Sequence, residues 1–426
     1  MSKKLNPKEL YRLPWSLTDN GISWLEVTTK CNLHCKGCYR DQTKDGHKTL
    51  EKIQEDLDVF KAKRNSDCMS IAGGDPLVHP QIVEIVKMIK DMGWKPILNT
   101  NGIALTHELL EQLKEAGVFG FTFHVDLSQG RPDAPASAKT EGDLNFIREK
   151  YARMLANVGG NIACSFNQTV TEKTLNQLPE VYEWALRNVD IVHSIVYILY
   201  REPGMCPQFD NFVNGKKIVM PYENTDWGDG KILKAQDAVD MIRTIEPTYE
   251  PSAYLNGTCD PDSMKWLLGV RVGQGDKTYG FVSPKFQKIV QHVFHIVKGK
   301  WLSYASPSVS VAGKITMILF SLVDKEMRKT LVNFLKSNIT TPWNLFRKVS
   351  FQGFMVIQPV DFLEDGRQNM CDGCPDMTVH NGKLYWSCRL EEIKEYGTFL
   401  TTYPRQSEKT DSDVIQTSEE ETQRAQ

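Results

Sequence analysis

Three cysteines near the N-terminus are grouped closely enough to bind one metal centre. Cys31, Cys35 and Cys38 place three thiols within eight residues. A [4Fe–4S] cluster normally takes four thiolates, so three would leave one iron free to bind another molecule. Zinc is the main alternative, but structural zinc sites need four ligands and usually contain Cys-x2-Cys pairs. Only His34 stands nearby as a fourth ligand, so we favour the cluster.

A second group of cysteines lies near the C-terminus. Cys371 and Cys374 form a Cys-x2-Cys pair, and Cys388 follows after thirteen intervening residues. The segment between them contains an Asn-Gly dipeptide flanked by β-patterned residues, which predicts a hairpin that returns the third thiol to the pair. We expect a second [4Fe–4S] cluster here, with either an open iron or a distant fourth ligand. The alternative is a zinc ribbon, with Cys259 or His380 completing the site.

The composition restricts the class of protein. The 426-residue chain is 41% hydrophobic and 24% charged, which is ordinary for a globular protein. Its formal net charge of −2 gives no indication of a nucleic-acid partner. The first residues lack the apolar run of a signal peptide, and the longest apolar stretch, 315–323, is shorter than the ~20 residues of a membrane span. We therefore expect a cytoplasmic protein, in which disulfides are rare and grouped cysteines bind metals or carry redox chemistry.

The elements that must position these cysteines alternate between strand and helix. The strand patterns are continuously apolar or β-branched, as in parallel strands covered on both faces. They are Ser23–Thr29, Cys68–Gly73, Lys95–Thr100, Gly120–Val125, Ile162–Val170 and Val192–Tyr200. The helical patterns are Thr49–Lys63, Gln81–Met92, Thr106–Ala116, Phe146–Val158, Leu175–Arg187 and Ala235–Ile245. Six such pairs predict an α/β fold, a (β/α)6 partial TIM barrel, with the functional site at the carboxyl ends of the strands.

The residues that follow the first two strands resemble a known family. The Cys-x3-Cys-x2-Cys triad after strand one is similar to that of the radical S-adenosylmethionine (SAM) superfamily. Gly73, Gly74, Asp75 and Pro76 after strand two resemble the family's Gly-Gly-Glu-Pro motif. The resemblance implies that the open iron binds the methionine group of SAM and that an electron splits SAM into a 5′-deoxyadenosyl radical. It also implies that the Asp75 carboxylate and nearby carbonyls receive the methionine ammonium, and that the glycines allow close approach to the ligand.

Three further positions carry a weaker resemblance. Asn101, in an Asn-Thr-Asn-Gly turn after strand three, is similar to the family's turn near the nucleoside. Asp126, after strand four, resembles the acid of the family's Ser-Leu-Asp-Gly pattern, although this chain has His-Val-Asp-Leu. The family usually has an aromatic residue just before the third cysteine, packed on adenine. Gly37 stands there in this chain, and Tyr39 is the candidate substitute. A structural role is an equal alternative for each of them.

The second cysteine group resembles the auxiliary-cluster ("twitch") domain of several radical SAM enzymes. The same Cys-x2-Cys-x13-Cys spacing occurs in the cyclase of molybdenum-cofactor biosynthesis, where three ligands leave an open iron that holds substrate. The substrate-binding pattern of that cyclase is not evident here. The resemblance therefore implies an auxiliary [4Fe–4S] cluster that binds substrate or transfers electrons, and it does not identify the substrate.

The predicted organisation has five parts. They are an N-terminal arm (1–20), the radical SAM partial barrel (21–247), a mostly helical substrate-specific segment (248–365), the auxiliary-cluster domain with its β-hairpin (366–400) and a disordered tail (405–426). A β-patterned run, Val349–Val360, leads into the second cysteine group.

The substrate is expected to be an organic molecule of unknown class. Residues 311–338 form a basic amphipathic pattern, which is typical of contact with an anionic membrane surface or a lipid, although packing against the core is the commoner outcome. We therefore favour a hydrophobic or lipid-like substrate, with a peptide- or protein-modifying maturase as the alternative enzyme. A low-potential electron donor such as flavodoxin or ferredoxin is the expected protein partner. Outside enzymes, the alternative is a zinc- or cluster-binding interaction module.

Overall fold

The computed structural model describes residues 3–42, 45–201, 209–218, 232–339 and 341–404. The predicted disordered tail and Cys206 lie outside these residues. The strands are β1 Tyr11–Arg12, β2 Asp19–Thr28, β3 Asn65–Gly73, β4 Lys95–Thr100, β5 Gly120–His124, β6 Ala163–Val170, β7 Ser194–Leu199, β8 Phe209–Val213, β9 Lys216–Ile218, β10 Ala253–Leu255, β11 Trp266–Gln274, β12 Lys277–Phe281, β13 Ser350–Ile357, β14 Asp361–Phe362, β15 Gln368–Asn369, β16 Met377–His380, β17 Lys383–Trp386 and β18 Thr401–Pro404. The helices are α1 Leu50–Lys63, α2 Ile82–Asp91, α3 His107–Glu115, α4 Asn145–Val158, α5 Leu178–Arg187, α6 Ala235–Arg243, α7 Pro284–Lys298, α8 Pro307–Ser310, α9 Gly313–Ser321, α10 Lys325–Ser337 and α11 Leu390–Tyr396.

The six predicted parallel strands are confirmed as β2 to β7, which pair in chain order. Helices follow each of them and bury an apolar stripe against the outer face of the sheet. In α2 that stripe consists of Ile82, Ile85, Val86 and Ile89, spaced at the period of a helix with one buried side. The fold class is therefore the predicted α/β partial barrel.

The sheet must be strongly curled, because its first and last strands are close along the chain. The path β1-β10-β11-β13-β7-β6-β5-β4-β3-β2 contains nine strand spacings, which would span about 43 Å if the sheet were flat. Only residues 13–18 connect β1 to β2, and an extended chain of that length reaches about 25 Å. Side chains from both ends accordingly pack in one core, including Ile22 and Cys68 from β2 and β3 with Leu255 and Trp266 from β10 and β11.

The segment 248–365 was predicted to be mostly helical, and this was wrong in part. It contributes β10, β11 and β13 to the main sheet, with β13 parallel to β7 and antiparallel to β11. The Gly- and Tyr-containing residues before 284 looked like loops because their burial depends on pairing with distant strands. The predicted helix 284–298 is α7, the predicted helix 311–338 is divided into α9 and α10, and the run Val349–Val360 contains β13.

The C-terminal cysteine module bridges the two ends of the curled sheet. Its hairpin, β16–β17, has the predicted Asn-Gly turn, with Asn381 and Gly382 both at positive φ. The Asn20 side-chain amide in β2 donates to the Gly373 carbonyl at 2.8 Å. On the other side, the Thr258 N–H, beyond β10, donates to the Met370 carbonyl at 2.9 Å. The module therefore closes the gap between β2 and β10.

The opposite, N-terminal end of the barrel is closed by the chain that joins α7 to α8. The Ser303 hydroxyl lies 2.8 Å from the Cys68 sulfur in β3, and the Tyr304 hydroxyl lies 3.5 Å from that of Thr122 in β5. The cysteine triad follows β2 at the other end, where the strands have their carboxyl ends. None of the helices in the described part of the chain is long and apolar enough to span a membrane.

Candidate active site

The cysteine triad lies in the loop that leaves the carboxyl end of β2, as predicted. Cys31 and Cys35 are half-buried and Cys38 is exposed. The Lys36 N–H donates to the Ser128 carbonyl at 2.9 Å, which ties the loop to the turn after β5. The three thiols are near enough to interact electrostatically.

The chemistry of this loop fits an iron–sulfur cluster. The Leu33 N–H and the Asn101 side-chain amide point at the Cys31 sulfur, at 3.5 and 3.7 Å. Such donors favour thiolates and tune the potential of a cluster. Burial raises the pKa of the Cys35 thiol to about 12, and the Asp126 carboxylate adds to the rise. A thiolate at this position therefore requires positive charge beside it, which bound iron supplies.

The two glycines at the end of β3 pack against the backbone of the cysteine loop. A Cβ at Gly73 would overlap the Thr28 carbonyl oxygen, and one at Gly74 would overlap that of Lys30. The Gly74 and Asp75 N–H groups donate to these same two carbonyls at 2.8 and 2.9 Å. The glycines therefore let the end of β3 pack directly against the base of the cysteine loop. Their close approach to a ligand stays a prediction.

Asp75 connects the ends of β3 and β4. Its carboxylate, 1% exposed, accepts hydrogen bonds from the Leu77 N–H (2.9 Å), the Thr100 hydroxyl (2.8 Å) and the Asn101 N–H (2.7 Å). Pro76 begins the short 3-10 turn that Asp75 caps. Burial raises the pKa of Asp75 although these donors oppose the rise. The carboxylate is thus engaged by protein donors, and its contact with the SAM ammonium stays a prediction.

Asn101 joins β4 to the cysteine loop. Its side-chain amide donates to the Asn32 side-chain oxygen at 2.7 Å, and its carbonyl accepts from the Arg131 guanidinium at 2.8 Å. Arg131 also reaches the His124 carbonyl at 3.2 Å. The predicted nucleoside contact of Asn101 is untested, but the residue does lie beside the triad.

Asp126 is buried at the end of β5. It accepts from the His124 ring at 2.6 Å and the Thr169 N–H at 3.0 Å, and it also contacts the Ser128 hydroxyl. Burial opposes ionisation, yet these groups together hold the pKa of Asp126 below its usual range. Its negative charge fixes the His124 ring, which is half-buried on the inner face of the sheet.

Tyr39 is half-exposed, at 48%, and one face of its ring lies against the Arg40 guanidinium at 4.6 Å. Gly37 has φ of 71°, a left-handed conformation that disfavours an aromatic residue. A glycine fits this backbone conformation more easily than an aromatic residue does. The adenine contact of Tyr39 stays a prediction.

Arg40 links the triad to the second cysteine group. Its guanidinium pairs with Glu26 in β2 and donates to the Ser387 carbonyl at 2.7 Å. Its side chain is 1% exposed. Because Arg40 comes two residues after Cys38 and Ser387 directly precedes Cys388, the two cysteine groups are held on the same side of the barrel.

The second group brings its three thiols together. Cys371 and Cys374 are buried and hydrogen-bonded to each other, which lowers the pKa of the Cys371 thiol and raises that of Cys374. Cys388, in contrast, is exposed to solvent. The buried ammonium of Lys265 lies near Cys371 and favours its thiolate. Three thiols and a cation suit an anionic iron–sulfur cluster.

The proposed fourth ligands of a zinc ribbon are engaged elsewhere. The Cys259 thiol faces the Gln368 carbonyl at 3.6 Å, and the His380 ring lies 3.2 Å from the Asn381 amide. Within the described ranges, no three His, Cys, Asp or Glu side chains are arranged to hold a single metal ion, and this includes both cysteine groups. The two [4Fe–4S] ligand sets therefore stay predictions.

Asp376 was missed by the sequence analysis. Its carbonyl accepts from the Ser387 N–H at 2.9 Å, which places it between Cys374 and Cys388. Burial raises the pKa of Asp376 to about 7, opposed by the Arg64 guanidinium. No hydrogen bond to its carboxylate is found in the described part of the chain. Its position two residues after the Cys-x2-Cys pair was the only available signal.

Part of the inner face of the sheet carries half-buried side chains that are mainly polar or aromatic. Its half-buried side chains include Trp24, Asn99, His124, Asn167 and Ile198. The Trp24 indole N–H and the Asn99 amide nitrogen have no hydrogen-bond partner among the described residues. We call the space between this face and the two cysteine groups the chamber. Unpaired buried donors of this kind are costly unless a ligand or water satisfies them.

Comparison with known proteins identifies the family. Residues 25–185 match the model of the radical SAM superfamily. This part of the chain is a radical SAM domain. The match contains the cysteine triad and the strands β3 to β6, so the predicted family and partial barrel are confirmed. Proteins of this superfamily are enzymes that use SAM and a SAM-binding [4Fe–4S] cluster, which are the two cofactors predicted from the sequence.

Three relatives illustrate the range of the superfamily. The AdoMet-dependent heme synthase of Methanosarcina barkeri is 26% identical over 42% of this chain and 50% of its own length. The 7,8-dihydro-6-hydroxymethylpterin dimethyltransferase of Methanocaldococcus jannaschii is 30% identical over 73% of this chain and 63% of its own length. The "probable GTP 3′,8-cyclase" of Methanococcus maripaludis is 27% identical over 42% and 60%. The chain thus spans only about half to two thirds of the length of these proteins.

Proposed function

We propose that this protein binds a [4Fe–4S] cluster at Cys31, Cys35 and Cys38 and cleaves SAM reductively to a 5′-deoxyadenosyl radical that abstracts hydrogen from an organic substrate. The observation that carries the proposal is the position of the triad. Its loop is fastened to the ends of β3 and β4 by Gly74 and Asn101 and opens beside the chamber. Loops at the carboxyl ends of barrel strands form the sites of such folds.

The residues around the triad support this chemistry by holding it rigidly. Asp75 and Asn101 fix the distance between β3, β4 and the loop, while Arg131 joins β4 to the turn after β5. Rigid placement of a cofactor against its substrate is the main task of the protein in such reactions. Each of these side chains is buried, so water is kept from the loop on that side.

We propose that the second group holds an auxiliary [4Fe–4S] cluster on Cys371, Cys374 and Cys388, in a twitch-like domain. Cys388 is accessible to solvent, and the Asp376 carboxylate has no hydrogen bond among the described residues. An auxiliary cluster here would therefore be positioned to bind substrate or to pass electrons. We further propose that Asp376 binds a polar group of the substrate.

The chamber lining bears on the substrate class. Amide, imidazole and indole groups favour a molecule with several hydrogen-bonding groups, so the expectation of a lipid-like substrate has no support from this face. A peptide-modifying activity is the alternative. A low-potential donor such as flavodoxin or ferredoxin, cytoplasmic location and contact with a membrane surface stay predictions. The division of the chain into five parts also stays a prediction. In the structure, β1 of the N-terminal arm and β10 to β13 of the middle segment belong to the main sheet of the barrel.

The first experiment is the iron and acid-labile sulfide content after anaerobic reconstitution. We expect about eight irons in the wild type and about four in each triple variant, C31A/C35A/C38A and C371A/C374A/C388A. Cys259→Ala is the matched control, because its thiol lies outside both groups, and it should keep all the iron. Absence of iron from the wild type would refute the proposed function. Four irons that survive in C371A/C374A/C388A, together with one zinc in the wild type, would instead make the C-terminal module structural.

A further inference from the structure

Exposed apolar side chains are concentrated in one part of this chain. Of the twenty large hydrophobic residues exposed in the described ranges, fifteen lie between residues 293 and 346. Isolated exposed hydrophobics are normal, but a contiguous group on a folded protein marks an interaction surface. The barrel, in contrast, buries its apolar residues under the helices α1 to α6.

The centre of this group is the outer side of α9. The inner side packs into the core through Met317, which is fully buried. The outer side of α9 and the two residues after it are 55% to 76% exposed, and these are Ile315, Ile318, Leu319, Leu322 and Val323. α9 is therefore apolar on both sides, which is unusual for a surface helix in water.

Two exposed aromatic residues lie next to α9. Trp343 is 75% and Phe346 is 83% exposed, in the turn Pro342–Phe346. The Lys314 ammonium at the start of α9 donates to the Leu345 carbonyl at 2.5 Å, which holds this turn against the helix. We call α9 and this turn the docking face.

The docking face lies within a strongly basic region. Residues 284–348 contain eleven lysines and arginines but only two acids, Asp324 and Glu326. Asp324 is buried, where it caps α10. The region thus carries a formal charge of +9 (eleven minus two) in a chain whose total is −2. The positive charge is therefore local to this region.

We propose that the docking face binds the surface of an anionic membrane, with Trp343, Phe346 and the outer side of α9 inserted among the lipids. Apolar side chains ringed by lysine and arginine are the features of a helix that lies in the interface. Tryptophan is enriched at that depth, and each nearby cation adds attraction to anionic lipid. Association of two copies through this face would bring two charges of +9 together, so self-association is disfavoured. The inference is independent of the radical chemistry.

The test is co-sedimentation of the reconstituted protein with vesicles of phosphatidylcholine alone or mixed with phosphatidylglycerol. We expect binding to the mixed vesicles only, weakened by added salt. The variant W343S/F346S should bind at least about tenfold more weakly, and so should R347Q/K348Q. L17S/F146S is the matched control, since these two exposed residues (45% and 51%) lie elsewhere, and its binding should equal that of the wild type.

Thermal unfolding of each variant establishes that it is folded, and folding should persist because the changed residues are exposed. Failure of the wild type to bind mixed vesicles would overturn the proposal, as would equal binding of W343S/F346S. Light scattering tests the remaining alternative, which is that two copies of the chain associate through the docking face. A wild-type dimer that becomes a monomer in W343S/F346S would show that the docking face is a contact between copies, and that result also overturns the proposal.

Discussion

Replacing Asp75 by Asn tests whether this residue is a structural connection or only a ligand for SAM. The change keeps the shape of the side chain but replaces one carboxylate oxygen with an NH2 group. That group would face the Thr100 hydroxyl or the Asn101 N–H, both of which donate to the carboxylate at 2.7–2.9 Å. One charge-assisted hydrogen bond contributes about 1.5–3 kcal/mol. We therefore expect the free energy of unfolding to fall by about 1.5–3 kcal/mol.

The assay is urea unfolding under anaerobic conditions, with and without SAM. If Asp75 connects β3 to β4, the loss of stability has the same size in both conditions. If Asp75 acts only on SAM, Asp75→Asn unfolds like the wild type without SAM and loses only the stabilisation that SAM adds. That second result would refute our reasoning. Thr100→Val is the companion variant, and a coupling of about 1–3 kcal/mol between the two changes would confirm that they share one network.

Three further predictions follow from the site. Gly74→Ala should lower both the iron bound at the triad and the melting temperature, because the added Cβ would overlap the Lys30 carbonyl. Gly46→Ala is the control and should change neither the iron content nor the melting temperature, because Gly46 has open space around it. Burial raises the pKa of Glu141 from 4.5 to about 7, although the Arg148 guanidinium opposes the rise. The free energy of unfolding should therefore fall as the pH rises through this range, by on the order of 3 kcal/mol. Glu141→Gln should lose that slope in urea titrations at several pH values, and a retained slope would assign it to another group. Asp376→Ala should change the free energy of unfolding by no more than about 1 kcal/mol and leave the iron content unchanged, because no hydrogen bond is lost. Substrate-dependent formation of 5′-deoxyadenosine should fall. Unchanged product formation would exclude a role of Asp376 in binding substrate.

The local pattern of residues predicted most of the barrel. Strand Lys95–Thr100 was predicted with the bounds that β4 has, and the helix 284–298 with those of α7. These elements are set by hydrophobic periodicity and by capping residues, such as Ser283, which accepts from the Phe286 N–H at the start of α7. Such signals lie within one element, so they can be read without knowing what the element packs against.

The sequence by itself also determined the two cysteine groups and the hairpin between Cys374 and Cys388, because ligand spacing and an Asn-Gly turn are local features. Only the tertiary structure decided that Gly74 packs on the Lys30 carbonyl and that Asp75 accepts hydrogen bonds from residues at the end of β4. It also decided that Arg40 holds Ser387 next to the triad loop. These contacts join residues up to 347 positions apart. They depend on the curl of the whole sheet, which no local pattern encodes, because pairing between distant strands is settled by packing across the complete fold.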